Sequence, residues 1–473
     1  MKTVVCVKVC GGEINPFDEA ALECALTLSD DVTVLSMGPE AAAEALKPLT
    51  RLGVRVILLS DKIFAGSDTL ATAYILGKAI KKLDADMILC GRQSIDGDTA
   101  QVGPMLSQNL GISLIAGTIK IKTDKTDKTD KTDKTDKTDK TDKTDKRKMI
   151  AETRMGEVRI DTPALVTVER GYVLRFPSIF SREGEVEHWD NSDINCDPNR
   201  CGLGGSPTRV LKTFENERGR RSCKFITFDE LLPLIENLKS RSGDDRSEKQ
   251  RYSGEKLKNV WAVGKKAAEI ARPMAEKLTV TDELDPREIA DMAEKDMPDA
   301  ILWNSDFWGR NNAPIAAAIL KTGLCADCTS LETDGEILYM YRPARSGNIT
   351  AKIKCITKPQ MATVRTESTS ADVIVSGGRG VSDKIEKLYS FADKIGAEVC
   401  SSRGLVDMGK MRYERQVGLT GRQVAPKIYI AVGISGAVHH TCAIEDSGTI
   451  IAINPDKDAR IFDYADYGIV GEF

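Results

Sequence analysis

The sequence predicts an α/β protein built from several parallel-sheet units, and three observations support this fold class. Short apolar segments rich in β-branched residues alternate with helical segments through residues 1–115, which is typical of a parallel, doubly wound sheet. The same alternation returns from Val260 and again from Ser368. The length of 473 residues also accommodates three domains of ~150 residues each.

The first unit is predicted to span residues 1–213. Its expected strands are Lys2–Val9, Val32–Met37, Val54–Ser60, Met87–Cys90, Thr118–Lys122, Glu157–Ile160 and Val166–Val173. Its expected helices are Pro16–Leu28, Asp68–Lys82 and Thr99–Leu110. Asp68 is the expected N-cap of the second helix, because a carboxylate there can accept hydrogen bonds from the first turn.

A repeat interrupts this unit. Residues 123–146 are eight tandem copies of Thr-Asp-Lys, between the strand-like segments Thr118–Lys122 and Glu157–Ile160. The repeat has no apolar face whose burial could offset the entropy lost on ordering. We therefore expect a solvated, disordered insertion at the tip of a hairpin.

The rest of the chain is predicted to hold a charged arm and two further units. Residues 214–258 are highly charged and contain one expected helix, Phe228–Lys239, so we interpret them as a linker and wrapping arm. The second unit, 259–367, is the shorter α/β unit, and 368–473 form the third. The expected strands are Val260–Val263, Ala300–Asn304, Val373–Ser376, Ile428–Val432 and Thr449–Ile453, and the expected helices are Ala313–Leu320 and Asp383–Ile395.

Composition excludes several classes of partner and site. The net charge of −4 gives no electrostatic reason to expect nucleic acid or an anionic membrane. The sequence has no apolar run of ~18 residues and no signal peptide, so we expect no membrane insertion. Twelve cysteines without a signal indicate reduced thiols in a cytoplasm. Cys325 and Cys328 form a C-x-x-C without a second pair or a nearby histidine, and we expect no metal.

One candidate site is the segment GRQSIDGDTAQVGPM, residues 91–105, which follows a predicted strand. Three glycines would let its backbone approach a ligand closely: Gly91, Gly97 and Gly103. Asp98 or Thr99 could cap the next helix, whose free N–H groups could hold a phosphate. The spacing fits either a nucleotide loop or a purely structural turn.

A second candidate site consists of five turns that follow successive segments of the third unit. They are SGGRG (376–380), SSRGLVD (401–407), QVGLTG (416–421), GISGAVHH (433–440) and AINPD (452–456). Glycine turns supply backbone donors, and Arg379 and Arg403 supply fixed cations, as a dinucleotide pyrophosphate requires. Asn454 could contact a sugar or an adenine. The turn that carries His439 and His440 should expose at least one of them to the ligand.

These segments resemble the electron transfer flavoprotein family. The segments that resemble its β subunit are MKTVVCVKV, NPFDEAAL, VTVLSMGPE, GRQSIDGDTAQVGP, TPALVTVERG and GLGGSPTRV. Those that resemble its α subunit include PDAILWNSDFWGRNNAPIAAAI, VSGGRGVSD, SSRGLVDMG, QVGLTG, YIAVGISGAVHH and IIAINPD. The resemblance covers nearly the whole chain and implies a fused β and α subunit. The implied fold is two Rossmann-like units of the adenine nucleotide α-hydrolase type, followed by a doubly wound parallel-sheet FAD-binding domain.

The resemblance implies a set of FAD contacts in the third unit. Arg379 would lie by the flavin and phosphates, Arg403 near the flavin ring, and His440 at its pyrimidine side, where a histidine can stabilise negative charge on a reduced ring. Leu419 and His439 stand where the family usually has glutamine. The full set is Arg379, Ser402, Arg403, Gln416, Val417, Gly418, Leu419, Thr420, Ser435, Gly436, Ala437, Val438, His439, His440 and Asn454.

The resemblance also implies a second adenine nucleotide, bound in the first unit. The matching positions are Cys6, Asn15, Pro16, Phe17, Asp18, Met37, Asp96, Gly97, Asp98, Thr99, Ala100, Gln101, Val102 and Gly103. This nucleotide is expected to be AMP, in a structural role, or a second FAD. The stretch DGDTAQVGP resembles the β subunits of the electron-bifurcating group.

The implied function is electron transfer from dehydrogenases of the acyl-CoA dehydrogenase type to a downstream acceptor through bound FAD. The loop RFPSIFSREGE, residues 175–185, matches the loop that docks the partner dehydrogenase, and Phe176 stands where the family often has leucine. Thr366–Ser370 would serve as a hinge for motion of the FAD-binding domain. The alternatives are an NADH-dependent bifurcating form with a second FAD, and a non-redox adenine-nucleotide sensor built from similar units.

Overall fold

The computed structural model describes residues 1–124, 147–215, 221–240, 252–344, 349–365, 371–418 and 421–473. Residues 125–146 of the Thr-Asp-Lys repeat, for which disorder is expected, lie outside these ranges. The expected hinge (366–370) and the expected flavin contacts Leu419 and Thr420 also lie outside the described residues. Within these ranges, the structure contains no helix long and apolar enough to cross a membrane.

The N-terminal unit, residues 1–207, is an α/β layer structure. Its strands are β1 Thr3–Cys6, β2 Val9–Cys10, β3 Glu13–Ile14, β4 Val32–Met37, β5 Arg55–Leu59, β6 Met87–Gly91, β7 Ser113–Thr123, β8 Lys148–Thr153, β9 Gly156–Asp161, β10 Ala164–Val168 and β11 Glu187–Trp189. Its helices are α1 Pro16–Leu28, α2 Ala42–Leu46, α3 Thr69–Leu83, α4 Val102–Leu110, α5 Asn191–Ile194 and α6 Gly202–Gly205.

Nine of these strands form one sheet in the order β11-β5-β4-β1-β6-β10-β7-β8-β9. The pairs from β11 to β7 are parallel, as predicted, and β7, β8 and β9 pair antiparallel. Strand β8 was not predicted: it begins next to the repeat, and only alternate residues such as Met149 and Ala151 are buried. The ends of β7 and β8 face each other, with Thr123 opposite Met149. The strand that follows the repeat in this hairpin is therefore β8, and the predicted segment Glu157–Ile160 belongs to the next strand, β9.

The middle unit contains two sheets. The chain from residue 208 to 364 contributes strands β12 Thr208–Glu215, β13 Lys224–Phe225, β14 Tyr252–Glu255, β15 Leu257–Val263, β16 Ala275–Thr281, β17 Ala300–Asn304, β18 Leu324–Cys328, β19 Ser330–Asp334, β20 Leu338–Ala344, β21 Ile349–Cys355 and β22 Gln360–Val364. The helices are α7 Phe228–Ser240, α8 Lys265–Ala271, α9 Pro286–Asp296 and α10 Phe307–Leu320. One sheet is parallel, in the order β16-β15-β17-β22-β18, and the other has the order β12-β21-β20-β19-β14.

The middle unit packs directly on the N-terminal unit. Helix α10 begins earlier than predicted, at Phe307, because the Asp306 carboxylate accepts a hydrogen bond from Gly309 N at 2.8 Å and caps it. This helix packs against α4. Buried residues of both units, including Leu106 and Ala317, belong to one continuous apolar core.

The C-terminal unit, residues 371–473, is built on a parallel sheet. Its strands are β23 Val373–Gly377, β24 Glu398–Ser402, β25 Gln416–Val417, β26 Ile428–Val432, β27 Thr449–Asn454 and β28 Tyr467–Val470, and its helices are α11 Ile385–Lys394, α12 Arg403–Asp407 and α13 Val438–Thr441. The sheet order is β13-β28-β27-β26-β23-β24-β25. Strand β13 and helix α7 come from the charged arm. Leu231, Ile235 and Leu238 of α7 are buried in the core of this unit.

Candidate functional site

The carboxyl ends of five parallel strands meet at one edge of the C-terminal sheet. The strand order places β23 beside β26, so the chain connections leave this point in opposite directions. Such a switch point forms the crevice in which open α/β sheets bind ligands. The five turns singled out in the sequence follow the strands that end here, namely β23, β24, β25, β26 and β27.

Glycine allows two of these turns to touch through their backbones. A Cβ atom on Gly378 would collide with the carbonyl oxygen of Gly433, whose own φ is +63°. Gly378 N donates to Val432 O at 2.7 Å, and Gly380 N donates to Gly433 O at 3.2 Å. The two turns form a continuous backbone wall of the kind that approaches a pyrophosphate.

Both predicted arginines lie at this edge. Arg379 is exposed, and a Cβ atom on Gly404 would meet its Cγ atom at 2.6 Å, so only glycine leaves room for the arginine stem. Ser402 is the N-cap residue of α12, and Arg403 is its first residue. Arg403 Nε donates to Asp407 Oδ2 at 3.0 Å, which holds the guanidinium near the end of β24.

The turn after β25 is tightly closed. Gln416, Val417 and Gly418 are buried. Arg422 N donates to Gln416 O at 2.7 Å, and Gly418 N donates to Arg422 O at 3.2 Å. The expected flavin contacts at positions 419 and 420 lie within this turn but outside the described residues.

The two adjacent histidines have different environments. His439 is exposed, as expected for at least one of them, but His440 is only 6% exposed. His440 Nδ1 donates to Val417 O at 3.1 Å, so Nε2 accepts a hydrogen bond from the Tyr429 hydroxyl at 2.9 Å. Burial lowers the pKa of His440 to about 4. The ring is therefore neutral at pH 7 and ties the β25 turn to strand β26.

The remaining predicted contacts lie on the turns after β26 and β27. Ser435 and Ala437 are exposed, and Val438 begins helix α13. Gly436 has a φ of +85° and packs against the backbone of Ile461. Asn454 is buried, donates to Ile434 O at 2.9 Å and accepts from Asp456 N at 2.9 Å. Its side chain thus braces both turns.

A second group of strand ends meets in the N-terminal unit, at β4, β1 and β6. The predicted residues Cys6 and Met37 end strands β1 and β4. The Asp18 carboxylate accepts hydrogen bonds from Lys8 N at 2.9 Å and from Gly91 N at 2.8 Å, which connects α1 to the ends of β1 and β6. Burial raises the pKa of Asp18 to about 6.

Buried oxygen atoms at this edge have unused hydrogen-bonding capacity. Asn15 Nδ2 donates to Gln93 O at 2.9 Å, but Asn15 Oδ1 and the hydroxyl of Ser36 have no partner among the described residues. Pro16 and Phe17 begin helix α1, with the Phe17 side chain buried. Unpaired buried acceptors beside a strand edge fit a ligand that brings donors, as the hydroxyl and amino groups of a nucleoside do.

The loop between β6 and α4 corrects one expectation. Helix α4 begins at Val102 instead of Thr99, and neither Asp98 nor Thr99 caps it, because its N-cap residue is Gln101 with no side-chain cap. Asp98 and Ala100 have φ values of +52° and +55°, and this left-handed backbone breaks the helix before it can start. The uncapped N–H groups of α4 stay available to an anion.

The other predicted residues of this loop have different environments. Burial acts to raise the pKa of Asp96, but the hydrogen bond from Lys8 lowers it to about 2. Gly97 follows it in the loop, and Gly103 lies within α4, where a Cβ atom would meet Thr167 Cγ2 at 2.6 Å. Gln101 serves another purpose, since its Nε2 donates to Leu324 O of the middle unit at 3.1 Å. It therefore joins two units.

A buried ion cluster lies between the two strand edges, and the sequence analysis does not predict it. Glu169, at the end of β10, is 2.6 Å from Arg92, 3.7 Å from Arg154 and 3.8 Å from Arg403 of the C-terminal unit. Burial acts to raise the pKa of Glu169, but Arg92, Arg154 and Arg403 together hold it below its usual value. No sequence pattern could have signalled this cluster, because its members are separated by up to 311 positions.

The loop of residues 175–185 presents apolar side chains to solvent. Phe176 is 96% exposed, and Ile179 and Phe180 are nearly as exposed. The loop backbone is anchored: Arg51 donates to the carbonyl oxygens of Ser178 and Ser181 at 3.2 and 3.3 Å. An anchored backbone with outward apolar side chains is typical of a docking surface.

The described residues contain no group of three or more His, Cys, Asp or Glu side chains that could hold a metal ion. Cys325 and Cys328 are both buried on β18, and the Cys328 thiol contacts the Cys325 carbonyl oxygen at 3.7 Å.

Comparisons with known proteins identify relatives of this chain. The electron transfer flavoprotein domain matches residues 3–194 and 279–388, and the electron transfer flavoprotein FAD-binding domain matches residues 368–445. The electron transfer flavoprotein subunit alpha of Thermoanaerobacterium thermosaccharolyticum is 41% identical over 231 residues, which cover 39% of this chain and 70% of that protein. Protein FixB of Clostridium saccharobutylicum is 38% identical over 231 residues, 39% of this chain and 69% of that protein.

Similarity extends to the other subunit as well. The electron transfer flavoprotein subunit beta of Clostridium acetobutylicum is 38% identical over 214 residues, which cover 43% of this chain and 76% of that protein. Relatives of both subunits thus match one polypeptide. The chain belongs to the electron transfer flavoprotein family, and it joins a β-like part and an α-like part in a single fusion.

Proposed function

We propose that this protein carries electrons from a dehydrogenase of the acyl-CoA dehydrogenase type to a downstream acceptor, through FAD bound in its C-terminal unit. The observation that carries the proposal is the edge of the C-terminal sheet, where the backbone wall of Gly378 and Gly433 meets Arg379 and Arg403. The match to the FAD-binding domain covers these residues. When bound, FAD would supply the redox chemistry.

The residues of this chain would bind and orient the cofactor. The wall of Gly378 and Gly433 would approach the pyrophosphate, and Arg379 would contribute a charged donor. Arg403 would provide positive potential near the flavin ring. His440, neutral at pH 7, would hold the β25 turn through its hydrogen bond to Val417.

The second strand edge would bind an adenine nucleotide, either AMP or a second FAD. The orphaned oxygens of Asn15 and Ser36 and the uncapped start of α4 support a nucleotide there. Because this edge lies next to the cluster around Glu169, which reaches Arg403 of the C-terminal unit, the two sites would be neighbours.

The partner would dock on the loop of residues 175–185. Phe176, Ile179 and Phe180 form an exposed apolar patch on an anchored backbone, and aromatic residues such as phenylalanine are enriched in the cores of interfaces. In this proposal the C-terminal unit brings its cofactor to the docked partner.

The test is the nucleotide content of the purified protein. Visible absorbance followed by acid release and chromatography should give one FAD per chain with one AMP, or two FAD. A second FAD would favour the NADH-dependent bifurcating form, which would then bleach on anaerobic addition of NADH. A colourless protein that releases only adenine nucleotide and does not bind added FAD would overturn the electron-carrier proposal in favour of a nucleotide sensor.

A further inference from the structure

One arginine of the N-terminal unit extends into the C-terminal unit. Arg154 lies in the turn between β8 and β9, and its Nη1 atom donates to Gln416 Oε1 at 2.6 Å. Both side chains are secluded from solvent: the Arg154 side chain is 6% exposed and Gln416 is fully buried. A charge-assisted hydrogen bond in such a setting is among the stronger kinds.

The guanidinium of Arg154 is fixed from several sides. Its Nη2 atom donates to Asp407 Oδ1 at 3.1 Å, and the guanidinium lies 5.1 Å from the centre of the Tyr413 ring. Both of these residues belong to the C-terminal unit, whereas Glu169 of the N-terminal unit lies 3.7 Å away. A planar, multiply held guanidinium has a defined orientation that a lysine ammonium would not reproduce.

Gln416 is the first residue of β25, and the turn that follows this strand closes on it. Its carbonyl oxygen accepts the hydrogen bond from Arg422 N, and a Cβ atom on Gly421 would collide with this oxygen. The next residue, Val417, accepts the hydrogen bond from His440. The backbone of the turn is thus fixed from within the C-terminal unit, and its first side chain is fixed by Arg154.

We propose that Arg154 is a positioning residue for the flavin turn, acting through Gln416 from a different unit of the chain. This inference rests on the proposed function, in which FAD lies at this edge of the sheet beside residues 416–418. It has a specific consequence: the Gln416 side chain keeps its hydrogen-bonded position only while the N-terminal and C-terminal units are in contact. The reduction potential of bound FAD then depends on that contact.

The test compares Arg154→Met and Arg154→Lys with a matched control, Arg159→Met. Arg159 lies on β9 of the same hairpin, but its side chain is 72% exposed and lies 3.8 Å from Glu157 Oε1. All variants are studied as FAD-loaded full-length protein, with measurement of the two FAD midpoint potentials and of hydrogen exchange at residues 416–418. We expect Arg154→Met to increase hydrogen exchange at residues 416–418 at least about twofold and to shift the FAD midpoint potentials. The reason is that Arg154 and Gln416 belong to one hydrogen-bond network, so a change in one affects the other.

Arg154→Lys should remain close to Arg154→Met, because one ammonium cannot hold Gln416 and Asp407 in the same geometry. Gln416→Ala should show the same shift, and adding Arg154→Met to it should change little further. Wild-type potentials and exchange rates in Arg154→Met would overturn the proposal, as would additive effects in the double variant. Loss of FAD from Arg154→Met alone would also overturn it, in favour of a purely structural role. If the wild-type protein binds no FAD, the proposed function itself fails, and that result is distinct from all of these.

Discussion

Arg403 connects the C-terminal unit to the buried cluster of the N-terminal unit. Its guanidinium lies 3.0 Å from Asp407 and 3.8 Å from Glu169. We expect Arg403→Ala to make the FAD midpoint potentials more negative, by on the order of 1 kcal/mol, because a fixed cation near the flavin ring favours its reduced, negative form. Stepwise reduction against reference dyes measures the change.

The matched control for this prediction is Arg412→Ala. Arg412 also pairs with a carboxylate, Glu414, at 3.4 Å, but its side chain is largely exposed. The Arg412→Ala variant should have both FAD midpoint potentials at their wild-type values. Identical potentials in Arg403→Ala and wild type would remove Arg403 from the flavin site.

His440 makes the stability of the C-terminal unit depend on pH. Burial lowers its pKa from 6.5 to about 4, so the unfolded chain takes up a proton before the folded one does. The contribution of the neutral ring is complete above pH 6.5 and is lost as the pH falls towards 4, by roughly 3 kcal/mol at most. Chemical unfolding of flavin-free protein should show this loss in wild type and a smaller one in His440→Gln.

His188 provides the control for this experiment, since it is exposed on β11 in the N-terminal unit. His188→Gln should retain the full wild-type loss of stability between pH 6.5 and 4. If His440→Gln retains it too, the pH dependence has another origin, and the buried neutral ring does not control the unit.

For single residues, the sequence predicted which positions lie at the candidate site better than it predicted their burial and contacts. The turn that carries His439 and His440 was identified, but the burial of His440 depends on Tyr429 and Val417, which approach it only in the folded sheet. The contact between Arg154 and Gln416 was not predictable either, because it spans 262 positions and follows no motif. Long-range electrostatic contacts have no local signature in one sequence.

Among the elements, those with strong local signals were predicted most closely. Helix α1 has the expected bounds because proline at its first position sets the backbone for helix entry. Strands β4 and β26 also have the predicted bounds, because both are mostly apolar and rich in β-branched residues. Helix α4 begins three residues late because Asp98 and Ala100 adopt positive φ. A positive φ is uncommon outside glycine, above all for alanine, and no residue pattern predicts it here.

The loop of residues 175–185 leads to a prediction about the partner. Phe176→Asp places a charge in the centre of the apolar patch, so electron exchange with an acyl-CoA dehydrogenase from the same source should slow on the order of tenfold. The Phe176 side chain is 96% exposed, so FAD content and thermal stability should not change. Stopped-flow mixing with substrate-reduced dehydrogenase measures the rate.

Met297→Asp is the control for the loop. Met297 is exposed, at the end of α9, with a φ of +46° that suits aspartate at least as well as methionine. The Met297→Asp variant should exchange electrons at the wild-type rate. A wild-type rate in Phe176→Asp would exclude the docking role, and loss of flavin or unfolding would favour a structural role for the loop.

The hairpin of β7 and β8 predicts tolerance to removal of the repeat. Thr123 pairs with Met149, and Asp124 N donates to Lys148 O at 2.8 Å, so both strands are in register up to the insertion. Replacing residues 125–146 by Asn-Gly leaves, together with Arg147, a three-residue hairpin loop between Asp124 and Lys148, and should leave FAD content and the melting temperature nearly unchanged. A clear fall in either would mean that the repeat packs on the fold.

For the whole molecule, the alternation of strands and helices predicted the parallel sheets but not how the units join. Strand β12 leaves the N-terminal unit and pairs with β21 of the middle unit over residues 208–215. Helix α7 and strand β13 of the charged arm complete the C-terminal unit. These connections link distant segments, so single-sequence periodicity could not predict them, although the charged composition did indicate an arm.

These contacts between the units predict that the fusion behaves as two subunits held by non-covalent contacts. A chain cut between residues 217 and 218 and expressed as two pieces should still purify as a one-to-one complex, because β12 remains paired with β21 and α4 remains packed against α10. The shared core around Leu106 and Ala317 is apolar, so 1 M salt, about the concentration that screens charges beyond 3 Å, should not separate the pieces.

Size-exclusion chromatography with absorbance at the flavin band measures both association and FAD content in this experiment. A piece of residues 1–207, which ends just before β12, provides the comparison and should bind its partner more weakly, because β12 pairs with β21 at one edge of a five-stranded sheet. If the two full pieces elute separately at low salt, the peptide link itself holds the units together. The fusion would then be a requirement of this fold, since the contacts between α4 and α10 and between β12 and β21 would be too weak to replace it.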